Sequence, residues 1–151
     1  MDLSLVGKRA IVCGSTGGLG KASAVELALL GATVTLVARN AEKLAAALAD
    51  LPAPDGQKHT SALADSASVE SVTRAAGGFA ASGPYHILVN NTGGPPAGTA
   101  VDAEPAAFLA AFSAHLIANH LLTRALVPGM KSEQYGRIVN IISTSVKAPI
   151  P

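Results

Sequence analysis

The chain has 151 residues, enough for one domain with a real core and too few for two comfortable ones. Its composition is 49% apolar, 14% charged and 3% aromatic, so the core must be built from Ala, Val, Leu and Ile. A formal net charge of +1 gives no electrostatic case for nucleic acid or an anionic membrane, and the single cysteine, Cys13, excludes an internal disulfide.

The start, MDLSLVGKR, lacks the long apolar stretch of a signal peptide. No uncharged apolar run reaches the roughly 20 residues needed to span a bilayer, so a soluble cytoplasmic protein is expected. RAIVCG reads as a short strand that breaks at Gly14. LGKASAVELALLGA then places Leu19, Ala22, Val25, Ala28 and Leu29 at helical spacing, with Gly31 as the C-terminal stop. TVTLVAR is a second strand, and NAEKLAAALADL a second helix that Asn40 can cap. PAPDGQ is a loop and KHTSAL a weaker third strand; Asp65 is expected to cap a third helix in SASVESVTRAAGGFAAS. HILVNN is the fourth strand and TGGPPAGTA a turn-rich loop. A long Ala/Leu helix is predicted from about Glu104 to Leu126, stopping before Pro128 and Gly129. RIVNII is the last strand. Strands apolar on both faces, each followed by a helix, predict an α/β fold: a doubly wound parallel sheet with helices on both faces, forming one domain over residues 1–151.

The segment GSTGGLG, Gly14 to Gly20, falls between the first strand and the first helix. There the first helical turn offers unpaired N–H groups and the positive end of the helix dipole, which suit a diphosphate. Glycines let the backbone turn and approach such a ligand closely. Gly14, Ser15, Thr16, Gly18, Leu19 and Gly20 are the candidate cofactor contacts of this loop. Cys13 reads as a small buried residue, because nothing in the sequence supplies it with a neighbouring base.

The spacing Gly14-x-x-x-Gly18-x-Gly20 resembles the short-chain dehydrogenase/reductase family, with Cys13 where the family usually has Thr. Three further blocks match in order: LVNNTGG, LLTRALVPGMK and GRIVNIIS, so the resemblance covers essentially the whole chain. It implies a Rossmann-type sheet and a nicotinamide dinucleotide. Leu63 would meet adenine through its backbone, although Ala62 replaces the frequent Asp before it. Asn90 would tie neighbouring strands together, and Asn91, Thr92 and Gly93 would line the cofactor ribose. Thr92 in place of Ala, with Gly94-Pro95-Pro96 behind it, marks a branch with a stiffer loop. An acid at the end of the second strand would bind the ribose hydroxyls and repel a 2′-phosphate. The sequence there is VARN, and Arg39 offers a planar fork suited to phosphate, with Lys21 adding positive charge nearby. NADP(H) is therefore the expected cofactor; the alternative for Arg39 is an ordinary solvated cation.

In the family, hydride passes between nicotinamide and a carbonyl or alcohol carbon while a Tyr, assisted by a Lys, exchanges the proton. The alignment puts the family's substrate-binding Ser on Ser143, with Ser145 as the alternative, and makes Ser143 the candidate catalytic residue. It puts His115 at the family's helical Asn, with Asn119 one turn later. His115 could itself pass protons; a packed helix histidine is the alternative. The Tyr-x-x-x-Lys pair would lie beyond Pro151, so the chain is expected to be part of a longer protein, its sheet incomplete after the fifth strand. The four histidines lack a metal-binding spacing, and no metal is expected. The long helix resembles the family's oligomer-forming helix, implying a homo-oligomer. The resemblance thus implies an NADP(H)-dependent oxidoreductase for a small-molecule carbonyl or alcohol, similar to 3-oxoacyl-thioester reductases, with no nucleic-acid or membrane partner. The alternative is a noncatalytic dinucleotide-binding or regulatory module of the same fold.

Overall fold

The computed structural model describes residues 3–95, 98–99 and 101–148; Pro96 of the predicted stiff loop and Pro151 lie outside the described residues. Short apolar runs flanked by glycine and polar turns form five strands: β1 (Arg9–Cys13), β2 (Thr33–Ala38), β3 (Thr60–Leu63), β4 (Ile87–Asn90) and β5 (Arg137–Asn140). All pair in parallel, in the order β3-β2-β1-β4-β5, with Val12 opposite Leu36 on one side and Val89 on the other. The chain winds outward from β1 through β2 to β3, then crosses back to place β4 and β5 on the other side. The switch point falls between β1 and β4, where open parallel sheets of this kind leave a crevice at the carboxyl ends of their strands.

Alternation along each strand divides the core. Ala10, Val12, Val34, Leu36, Ile87 and Val89 face helices α1 (Gly18–Leu29) and α2 (Ala41–Ala49). Ile11, Cys13, Val37 and Leu88 face α3 (Val69–Ala81) and the long helix. The residues α1 buries are Gly20, Ala24 and Ala28, a stripe four residues apart, whereas Leu19, Ala22 and Leu29 of the predicted face are exposed. Close approach of helix to sheet, rather than side-chain bulk, selects that face. Gly31, with φ +100°, follows the C-cap Leu30 and turns the chain into β2.

Three further expectations are corrected. Ser68, not Asp65, caps α3, accepting from Ser71 N; Asp65 instead accepts from Ala67 N at 3.0 Å in the preceding turn. The long helix does not stop at Leu126. It runs as α4 (Pro105–Phe112), a π turn (Ser113–Ile117) and α5 (Ala118–Ser132), carrying Pro128 in its interior. A helical Pro costs about 3 kcal/mol, but continuing the helix past it buries Met130, worth roughly 1.5–3 kcal/mol. Gly129 helps, because a Cβ there would already touch Pro84 at 3.3 Å. Finally, the last strand ends at Asn140 and is exposed throughout, with Ile138 and Val139 38% and 49% accessible, since it pairs only with β4.

The run Pro105–Ser132 is also, by length and composition, long and apolar enough to cross a membrane, which the sequence reading did not anticipate. Most of it is unburied: Phe108, Leu109, Phe112 and Leu116 all stand more than half exposed. At the amino ends of the sheet two imidazoles complete the backbone bonding. His86 Nδ1 accepts from Arg9 N and His59 Nδ1 from Val34 N, both at 3.0 Å.

Candidate active-site cleft

A cleft of about 480 Å³ opens at the carboxyl ends of β1, β2, β3 and β4, at the switch point. Gly14 and Thr16 of the glycine loop line it. Gly14 has φ +58°, and a Cβ there would lie 2.6 Å from the Asn91 carbonyl oxygen; a Cβ on Gly20 would lie 2.2 Å from the Gly14 carbonyl oxygen. Asn91 Nδ2 donates to that same Gly14 oxygen at 3.3 Å. The β1–α1 turn and the loop after β4 are thus in direct contact, and only glycine fits at either position. Gly18 is different: its φ is +52° and nothing lies within 4 Å of where its Cβ would be. The N-cap of α1, Gly17, makes no side-chain bond and the first turn holds no acid, so the first N–H groups are left for an anion.

Of the predicted contacts, Gly14 and Thr16 line the cleft. Ser15 is fully buried and turns its hydroxyl inward, to the Val37 carbonyl oxygen at 3.3 Å, so its role is to pin the loop to β2. Gly18 and Leu19 are exposed at the start of α1. Arg39 lines the cleft just past β2, exposed and paired with no carboxylate among the described residues. Lys21 is committed elsewhere, to Asp50 at 3.0 Å, which removes it from the predicted positive pair. Leu63 ends β3 with its side chain in a separate groove beside α3; at this end the cleft is walled by Asp65, Ser66 and Ala67 instead.

On the β4 side the cleft is lined by Asn91, Thr92 and Gly93 from the loop and by His115 and Asn119 from the helix. His115 sits in the π turn, and its Nδ1 is hydrogen-bonded to Thr92 Oγ1. π turns inside α-helices re-aim side chains and recur at functional sites. Asn90 fulfils its predicted tie, donating from Nδ2 to Asn140 Oδ1 at 2.8 Å, while its own Oδ1 is buried without a partner among the described residues. Ser143 does not join this group. It is exposed beyond β5, caps a short 3-10 turn (Thr144–Val146) and contacts Ser145 Oγ at 2.6 Å. Cys13 lies against the cleft with its thiol pushed up to about 12 by burial, only weakly opposed by a backbone hydrogen bond from Asn91, so it carries no thiolate at neutral pH. Among the described residues no group of three His, Cys, Asp or Glu is placed to hold a metal ion.

Sequence reasoning missed one wall. Ala107, Ala110, Ala111 and Ala114 repeat at helical spacing and turn a face of methyl groups to the cleft, leaving the large Phe108, Leu109 and Phe112 outside. The signal was the segregation of alanine from bulk within that helix, not the presence of any reactive group.

The family model described as short chain dehydrogenase matches residues 8–151. Dehydrogenase/reductase SDR family member 13 of Bos taurus is 36% identical over 94% of this chain. D-beta-hydroxybutyrate dehydrogenase of Cupriavidus necator is 34% identical over 93% of it. The chain spans 37% and 54% of those two relatives' lengths. Among solved structures, L-sorbose reductase from Gluconobacter frateurii, complexed with NADPH and L-sorbose, matches with a TM-score of 0.91 and 32% identity. That match covers 99% of this chain and 57% of the reductase.

Proposed function

The chain belongs to the short-chain dehydrogenase/reductase family, and from that premise we propose that it forms the dinucleotide-binding part of an NADP(H)-dependent oxidoreductase. Its substrate would be a small carbonyl or alcohol, with 3-oxoacyl and 3-hydroxyacyl compounds the favoured class. The observation that carries the reading is the uncapped start of α1, which directly follows the cleft residues Gly14 and Thr16 in the chain, together with Arg39, and no acid, at the end of β2. The residues present suit a dinucleotide: Gly18 leaves open space over the first helical turn, and Gly14 and Gly20 keep the loop close to the sheet. The first N–H groups of α1 would hold the diphosphate, Arg39 the 2′-phosphate, and Asn91, Thr92 and Gly93 the ribose on the β4 side. When bound, the dinucleotide supplies or accepts hydride at its nicotinamide ring. The alanine face of α4 excludes water there and leaves room for a flat ring. Ser143 would bond the substrate oxygen, and a second copy of the chain would cover the exposed apolar face of α4 and α5.

Titrating NADPH and NADH into wild type and Arg39→Ala tests the cofactor assignment. A charge-assisted contact to the 2′-phosphate is worth about 1.5–3 kcal/mol, so the variant should lose about ten- to a hundredfold in NADPH affinity while NADH binding is little changed. Equal affinities for both cofactors in wild type would sink it. The second reading, a noncatalytic dinucleotide-binding module, draws support from the position of Ser143, exposed and bonded to Ser145 rather than lining the cleft. In a longer chain that includes the family's Tyr-x-x-x-Lys, carbonyl reduction lost in Ser143→Ala argues for the enzyme; tight NADPH binding by that longer chain without turnover on any 3-oxoacyl compound argues for the module.

A further inference from the structure

The two ends of the cleft lie on opposite sides of β1. Arg39 follows β2 on one side, and Thr92 follows β4 on the other, two strand spacings or about 10 Å away. If the diphosphate rests over the glycine loop after β1 and the 2′-phosphate at Arg39, the nicotinamide falls on the β4 side, where His115 stands. Among the described residues lining that side, His115 is the one that carries an imidazole. Its Nδ1 is engaged by the Thr92 hydroxyl, while its Nε2 has no hydrogen-bond partner among the described residues.

We infer that His115, held by Thr92 at the nicotinamide end of the cleft, couples its protonation to the charge of that ring, so that acid favours NADPH over NADP⁺. The inference rests on the dinucleotide reading above. Thr92 Oγ1 and His115 Nδ1 share one hydrogen bond that either can donate, and the imidazolium form carries a hydrogen on both ring nitrogens. An imidazolium repels the cationic ring of NADP⁺ and tolerates the neutral ring of NADPH. The proton is thereby held at the nicotinamide end in the state that reduces a carbonyl, a reaction that consumes one. The remaining charged groups lining the cleft are Arg39 and Asp65, on the β2 and β3 side. Helix α4 carries no charged residue within Pro105–Phe112. On α3, Glu70 and Arg74 pair with each other at 2.7 Å, and α5 contributes His120, Arg124 and Lys131, none of which lines the cleft.

The test is the ratio of the NADP⁺ and NADPH dissociation constants, measured by fluorescence and calorimetric titration from about pH 6 to 8.5. Titration of the 2′-phosphate affects both forms alike and cancels in the ratio. The ratio should rise about three- to tenfold as the pH falls, the order expected for two like unit charges across solvated protein. His115→Gln should flatten it and His120→Gln should leave the slope in place. Should the glutamine variant fold poorly, the imidazole resonance of His115 in wild type decides: its titration midpoint must lie lower in the NADP⁺ complex than in the NADPH complex. A flat ratio, a slope that survives His115→Gln, or equal midpoints overturns the inference while leaving the dinucleotide site standing. Failure of both cofactors to bind at any pH overturns the dinucleotide reading and this inference with it.

Discussion

Gly18 and Gly20 are two positions apart and lack side chains for opposite reasons, so substituting each should produce a different defect. At Gly20 a Cβ would lie 2.2 Å from the Gly14 carbonyl oxygen and 2.7 Å from Asn91 Nδ2, and the backbone atom cannot swing aside. Gly20→Ala should therefore cost folding stability at the upper end of overpacking, about 3 kcal/mol. At Gly18 there is no neighbour within 4 Å, and the cost comes from φ +52° alone, about 1–2 kcal/mol for an L residue in that region. What Gly18→Val fills is the open space above the first turn of α1. Losing even one charge-assisted bond to the diphosphate there removes about 1.5–3 kcal/mol, or about ten- to a hundredfold in NADPH affinity. Urea denaturation gives the stabilities, and fluorescence titration with NADPH gives the affinities. A folded Gly18→Val protein that binds NADPH as wild type does would refute the placement of the diphosphate. Gly20→Ala with an unchanged urea midpoint would refute the packing argument.

Pro128 is exposed in the interior of α5, where it costs roughly 3 kcal/mol against about 0.4–1 kcal/mol gained by restricting the unfolded chain. Pro128→Ala should thus stabilise the protein by roughly 2 kcal/mol, seen as a higher urea midpoint; a lower midpoint refutes this. Burial holds the His86 imidazole below its ordinary value, with Lys8 and Arg9 adding to the effect and Glu133 opposing it. The unfolded chain therefore takes up this proton first as pH falls. The contribution of His86 is present above the unfolded value of about 6.5 and declines as pH drops from there towards the folded value. The urea midpoint should accordingly decrease from pH 7.5 to 5.5, and His86→Gln should reduce that dependence; a midpoint that rises with acid contradicts it. Cys13, with its thiol pushed up to about 12 by burial, should resist iodoacetamide at neutral pH until urea unfolds the chain, and rapid labelling without urea would show the thiol to be more open than described.

Legibility in the sequence followed how strongly local pattern and tertiary environment agreed. RAIVCG and HILVNN read as central strands because both of their faces are buried, leaving no alternative period to confuse them. The glycine loop was equally plain, since its spacing and its strand–helix context say the same thing. RIVNII carries the same pattern, and among the described residues β5 pairs on one side only, with β4, which leaves its apolar residues exposed. Pro128 reads locally as a stop, and the burial of Met130, beyond the reach of a local window, favours continuing the helix. The π turn has no proline or glycine pair to announce it, yet it places His115 against Thr92. Lys21 looked like part of the anion site until the fold brought Asp50 to it across 29 positions of sequence.

The stripe Gly20, Ala24 and Ala28 on α1 inverts the usual rule for finding what matters in a helix. Truncation measures how much a side chain contributes, and here there is almost nothing to truncate. An alanine scan would leave two of its three positions unchanged by definition and would register only Gly20, as an enlargement. Enlargement is the informative direction: Ala24→Leu and Ala28→Leu would pry the helix from β1 and β2, while the same change at the exposed Ala22 would go unnoticed. The demand this helix makes on the sequence is an upper limit on size, and variants that drift along it will be filtered by volume rather than by hydrophobicity.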